Sequence, residues 1–118
     1  MTPDVQVLHN PRCSKSRAAL AAADSAGVVV DVVRYLDEPL DAAALRSLLA
    51  KLEDPPAALV RRGEAKAAGV AVDELTTAED VIAVLSTHPQ LMERPVLVRG
   101  DRAIIGRPTE RAEEFLRA

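Results

Sequence analysis

The chain has 118 residues, the size of one domain, taken here as residues 1–118. Hydrophobic residues make up 48% of it and the formal net charge is -3, a balance that fits a packed globule and excludes disorder over most of the length. Aromatic content of 2%, from Tyr35 and Phe115, leaves a core of Ala, Val, Leu and Ile; with the net acidity, it argues against nucleic acid as a partner.

In chain order, Val5 to Leu8 is a short apolar run that predicts a strand, broken by His9, Asn10 and Pro11. Cys13 to Ala26 is Ala-rich and predicts a helix, with Gly27 as its C-terminal stop. Val28 to Tyr35 is dominated by valine and predicts a largely buried strand, parallel to the first because a helix connects them. Asp41 is placed to cap the next helix, whose face is Leu45, Leu48, Leu49 and Leu52. Pro55 and Pro56 end it, and a further helix is expected from there toward Glu64. Gly69 to Val72 reads as a turn. Thr77 and Asp80 then form a capping box ahead of Val81, Ile82 and Leu85.

The period changes in the last third. Val96 to Val98 and Ala103 to Ile105 are short apolar runs around Gly100-Asp101, a hairpin signal. Pro108 suits the first turn of a last helix, with Ala112, Phe115 and Leu116 as its buried face. The order predicts an α/β, thioredoxin-like fold. Its sheet is four-stranded and mixed with flanking helices, and a helical insertion separates the βαβ and ββα halves.

Nothing approaches the ~20 apolar residues of a membrane span, and no signal-peptide pattern opens the chain. One cysteine cannot form an internal disulfide. The expectation is a cytoplasmic protein, acting as a monomer and away from membranes. Two histidines and one cysteine at no ligand spacing offer no metal site.

Chemistry concentrates in His9-Asn10-Pro11-Arg12-Cys13-Ser14-Lys15-Ser16-Arg17, between the first strand and the first helix. That is the carboxyl end of a strand, where α/β sheets place their sites. Free N–H groups at a helix start favour an anion and equally a thiolate. Arg12, Lys15 and Arg17 are cations close to Cys13 in sequence, and His9 is a candidate proton relay. Cys13 to Ser16 has Cys-x-x-Cys spacing with serine in the second place, so any redox cycle needs an outside thiol such as glutathione. Arg61, Arg94 and Arg107 fall at element junctions, and a guanidinium fork suits a tetrahedral oxyanion. Pro95 stands where a thioredoxin-like arrangement puts a cis-proline facing the cysteine.

The cysteine loop, Tyr35-Leu36, Leu59-Val60-Arg61 with Glu64, Glu93-Arg94-Pro95-Val96, and Gly106-Arg107-Pro108 with Glu110 run in order through nearly the whole chain. In these the sequence resembles the arsenate reductase (ArsC) family of the glutaredoxin-coupled kind. The resemblance implies that Cys13 attacks arsenate, supported by His9, and that Arg61, Arg94 and Arg107 hold the oxyanion. Arg12, Ser16 and Arg17 are further candidate substrate contacts in the same loop. It also implies glutathione and glutaredoxin as external reductants, with no bound cofactor. Two other readings stay open on the residues: a glutathione-dependent thiol oxidoreductase with another substrate, and a non-catalytic regulator resembling the Spx-type proteins that bind RNA polymerase.

Overall fold

Val5–Leu8 forms β1, and Val30–Val33 forms β2 beside it, parallel, with Val5 opposite Val30 and Leu8 opposite Val33. A computed structural model describes residues 3–117. Between the two strands runs α1, Ser14–Ser25, with Ser16, Ala19 and Ala23 as its buried stripe. These side chains are small, and Ala19 and Ala23 share one buried cluster with Val5 and Val7 of β1. Gly27, at φ +69°, ends α1: its N–H donates to the Asp24 carbonyl and the Val28 N–H donates to Ala23, which satisfies two carbonyls of the last turn.

Ala42–Lys51 is α2, capped by the Asp41 side chain, which accepts from the Ala44 N–H at 2.8 Å. Arg62–Ala67 is α3 and Ala78–Thr87 is α4, the latter opened by the Thr77–Asp80 capping box. Val96–Arg99 (β3) and Arg102–Ile105 (β4) make the hairpin, turned by Gly100 at φ +60°, and Thr109–Arg117 is α5. The sheet order is β2-β1-β3-β4, with β3 antiparallel to both neighbours.

Strand alternation sorts the core into two layers. Val5, Val7, Leu97 and Ile104 face α1 and α5, joining Ala19, Ala23, Ala112, Phe115 and Leu116. Leu8, Val96, Ala103 and Ile105 face the helical block, joining leucines of α2 and the Val81, Ile82 and Leu85 stripe of α4. This is the thioredoxin-like α/β arrangement, with the α2–α4 block inserted between its halves.

Four expectations need correction. The valine-rich second strand is an edge strand with β1 as its one strand neighbour, its residues half-buried or exposed, and Val32 is 41% exposed. Leu52 lies past the end of α2 in an extended conformation, where it bridges to Ala103. The helix expected from Pro55 to Glu64 is divided: Pro56–Leu59 is a short 3-10 turn, and Val60 is extended because it pairs with Met92. Pro108 precedes α5 rather than lying in its first turn.

The segment after α2 also closes the outer edge of β4. The Glu53 N–H donates to the Ala103 carbonyl at 2.9 Å, and the Asp54 carboxylate accepts from the Ile105 N–H at 3.0 Å. Arg111 of α5 then bonds Asp54 at 2.7 Å and the Ile105 carbonyl at 3.0 Å.

Candidate active site

The loop from His9 to Cys13 leaves the carboxyl end of β1 and turns on its own polar groups. The His9 N–H donates to the Val33 carbonyl of β2 at 2.8 Å, which fixes the loop's origin. The Asn10 side-chain oxygen accepts from the Arg12 N–H, and the Asn10 carbonyl accepts from the Cys13 N–H, both at 3.0 Å. Cys13 is thereby delivered as the N-cap of α1, in an extended conformation and 7% exposed, with no side chain capping the helix start.

The Ser16 side chain is fully buried. Its Oγ shares a 2.6 Å hydrogen bond with Nδ1 of His9 and accepts from the Asn10 N–H at 3.0 Å. Burial, joined by the like charges of Arg34 and Arg17, holds His9 below its ordinary pKa, so the imidazole is neutral at neutral pH. His9 thus acts on Ser16, and Ser16 acts on the sulfur through its backbone N–H.

Burial pushes the Cys13 thiol up. The N–H groups of Ser16 and Lys15 and the charges of Arg94 and Arg107 outweigh it, and the thiol titrates below its ordinary value. Arg107 touches the sulfur directly: its Nη2 donates to Cys13 Sγ at 3.4 Å. Its Nε donates to the Arg94 carbonyl at 2.7 Å, so the chain on either side of Pro95 positions the cation that faces the sulfur. The Arg94–Pro95 and Arg107–Pro108 bonds are both cis. Gly106 joins the two segments: its N–H donates to the Pro95 carbonyl at 2.8 Å. A Cβ there would lie 2.6 Å from Leu97 Cδ1 and 3.1 Å from Pro95 Cγ, so any larger residue must push these buried side chains aside.

Arg61 arrives from the inserted block. The Val60–Met92 bridge is flanked by two hydrogen bonds, Arg61 N–H to the Leu91 carbonyl (2.8 Å) and Glu93 N–H to the Leu59 carbonyl (2.7 Å). Arg61 is paired with Glu64, and Arg94 and Arg107 both approach Glu93.

Of the sequence candidates, Arg107 meets Cys13 directly, and Arg94 reaches the thiol by its charge and Arg107 by its carbonyl. The Ser16 hydroxyl is committed to His9 and Asn10. The Arg17 guanidinium donates to the Pro11 carbonyl at 2.9 Å, and Arg12 is exposed. The cations that lower the thiol are therefore Arg94 and Arg107, far away in sequence, while Lys15 contributes its backbone N–H.

Tyr35 is the residue that sequence reasoning left outside the site. It is 2% exposed, just past the carboxyl end of β2. Burial pushes its phenol up, opposed by Arg94, a hydrogen bond from the Asn10 side chain and Arg61; Cys13 adds to the rise. Its hydroxyl therefore lies in the electrostatic field of Arg94, Arg61 and the thiol. The available signal was topological: parallel β1 and β2 end together, so a residue after β2 is a neighbour of the cysteine loop.

The ArsC family model matches residues 8–115. The chain is 35% identical to a Neisseria meningitidis protein named arsenate reductase, over 97% of this chain and 99% of that one. It is 43% identical to the Escherichia coli protein named YfgD, over 98% and 99%. Among solved structures it superposes on an arsenate reductase from Vibrio cholerae with a TM-score of 0.79 and 30% identity, covering 97% and 98% of the two chains.

Proposed function

This chain belongs to the ArsC family, and on that premise we propose that it is an arsenate reductase whose nucleophile is Cys13 and whose external reductants are glutathione and glutaredoxin. The observation that carries the reading is the 3.4 Å contact from Arg107 to the Cys13 sulfur at the start of α1. A thiolate and a guanidinium held together attack and neutralise the same tetrahedral anion.

In this reading Arg61, Arg94 and Arg107 hold arsenate, with N–H groups at the helix start sharing its charge. The Cys13 thiolate attacks arsenic; an As–S bond forms, and one arsenate oxygen leaves as water after taking up protons. A glutathione thiol displaces a second oxygen, again as water. The glutaredoxin thiolate then attacks the glutathione sulfur. The As–S electron pair stays on arsenic, which becomes arsenic(III), and the mixed disulfide carries the oxidation. Water releases arsenite from Cys13. The net change is one arsenate and two thiols to one arsenite, one disulfide and one water.

Cys13 is the sole cysteine of the chain, which supports the need for outside thiols. Among the described residues no helix is long and apolar enough to cross a membrane. We place the protein, as a monomer, in the reducing cytoplasm, where both reductants work. The test is arsenite production from arsenate with glutathione and glutaredoxin, for the parent, Cys13→Ser and Arg94→Ala. Activity in the parent alone supports the reading, and an inactive parent overturns the arsenate assignment.

A further inference from the structure

The arginines beside the thiol are already facing an anion of the protein's own. Glu93 Oε1 lies 3.5 Å from Arg94 Nη1 and 3.6 Å from Arg107 Nε, and it also accepts from the Arg94 N–H at 3.2 Å. The two side-chain contacts are long for charge-assisted bonds, which settle near ~2.8 Å. Arg94 is 14% exposed in its side chain, and its Nε is buried with no hydrogen-bond partner among the described residues. The carboxylate therefore occupies the cation pair loosely and leaves one of its donors unused. The Glu93 backbone is pinned separately, by the bond from its N–H to Leu59, so its side chain can move while the main chain stays. Arg61 is engaged by Glu64 in a closer pair.

We propose that Glu93 is a specificity-determining residue: an internal carboxylate that holds Arg94 and Arg107 in the free protein and is displaced only by a ligand carrying more charge than itself. The inference rests on the oxyanion reading of this site. Exchanging one carboxylate for a monoanion leaves the local charge unchanged, and it also immobilises a free ion. A tetrahedral dianion brings a second charge and enough acceptors to engage both guanidinium groups at once. The resting site thus disfavours monoanions such as nitrate or a lone carboxylate relative to doubly charged tetrahedral oxyanions.

The test is protection of Cys13 from iodoacetamide in the full chain, at constant ionic strength and mildly alkaline pH. The protecting anions are arsenate, sulfate and nitrate, and each alkylation rate is read relative to the same variant without added anion. In the parent, arsenate and sulfate should protect at concentrations about tenfold or more below nitrate. In Glu93→Gln, which keeps the shape and removes the charge, nitrate should protect at a concentration at least about threefold lower, and the preference for dianions should narrow. Glu93→Ala gives a second reading of the same ratio. Weaker protection by every anion in both variants would mean that Glu93 aligns the arginines, and would overturn the proposal, as would an unchanged ratio. If sulfate protects with a Glu93-sensitive preference while arsenate is not reduced, the specificity device stands and the arsenate assignment falls. If no anion protects the parent, the specificity proposal falls, and arsenite production alone decides the arsenate assignment.

Discussion

The cysteine loop and the arginine wall opposite it are built on different principles. In the loop the contacts that turn the chain are local, Asn10 to Arg12 and Cys13, His9 to Ser16, Arg17 to Pro11, and the His9 N–H anchors the loop's start to Val33 of β2. The wall is assembled from segments far apart in the chain. Arg61 is tied to Leu91, Glu93 to Leu59, Gly106 to Pro95 and Arg107 to both Arg94 and Cys13. The nucleophile is thus set by short-range geometry, and the cations that tune it by the tertiary fold. Each can be damaged separately.

Replacing Cys13 by serine should have the largest effect, lowering arsenite production by at least about 10³-fold with the fold intact by circular dichroism. Gly106→Ala strikes the wall alone. Its Cβ would meet Leu97 and Pro95 inside a packed layer, and the expected loss is about 1–3 kcal/mol in urea denaturation. Ser16→Ala strikes the loop alone. It leaves His9 and the Asn10 N–H without their shared buried partner, for an expected loss of about 1–2 kcal/mol by the same measurement. Arg107→Met should slow alkylation of Cys13 several-fold at neutral pH and move its midpoint up toward an ordinary thiol.

The sign for stability follows from the same shift. A lowered folded-state pKa gives stability that is complete above the unfolded thiol's pKa and is lost as pH falls through the folded value. Arg107→Met should narrow that window. Arg12→Ala should change the alkylation rate by less than about twofold, because Arg12 is exposed, its part in the loop is its backbone N–H, and its charge is not among the causes that lower the thiol. A large effect there would restore the local cations to the role that sequence proximity suggested.

This division also decides what could be read from the residues. Cys13, its helix start and the capping box at Thr77 depend on neighbours within a few positions, so composition and spacing reveal them. Arg94 and Arg107 were visible as junction arginines, but their meeting at the sulfur depends on the β3–β4 pairing and on the close approach at Gly106. The valines of β2 suggested burial because a strand's composition does not report whether it has a neighbour on both sides. The Pro55 to Glu64 segment suggested one helix because nothing local announces the Val60–Met92 pairing that extends it. Tyr35 was quoted within a motif without a role, since its proximity to the thiol comes from two strands ending side by side.

The closure of the β4 edge has a practical consequence. Residues 52–54 satisfy backbone groups of that strand, and Arg111 locks Asp54 to the last helix. The inserted block is therefore part of the scaffold's perimeter and not a removable appendage. A minimal version of this protein, cut back to its two sheet-forming halves, would present an unpaired strand to its own copies and should self-associate before it could be assayed.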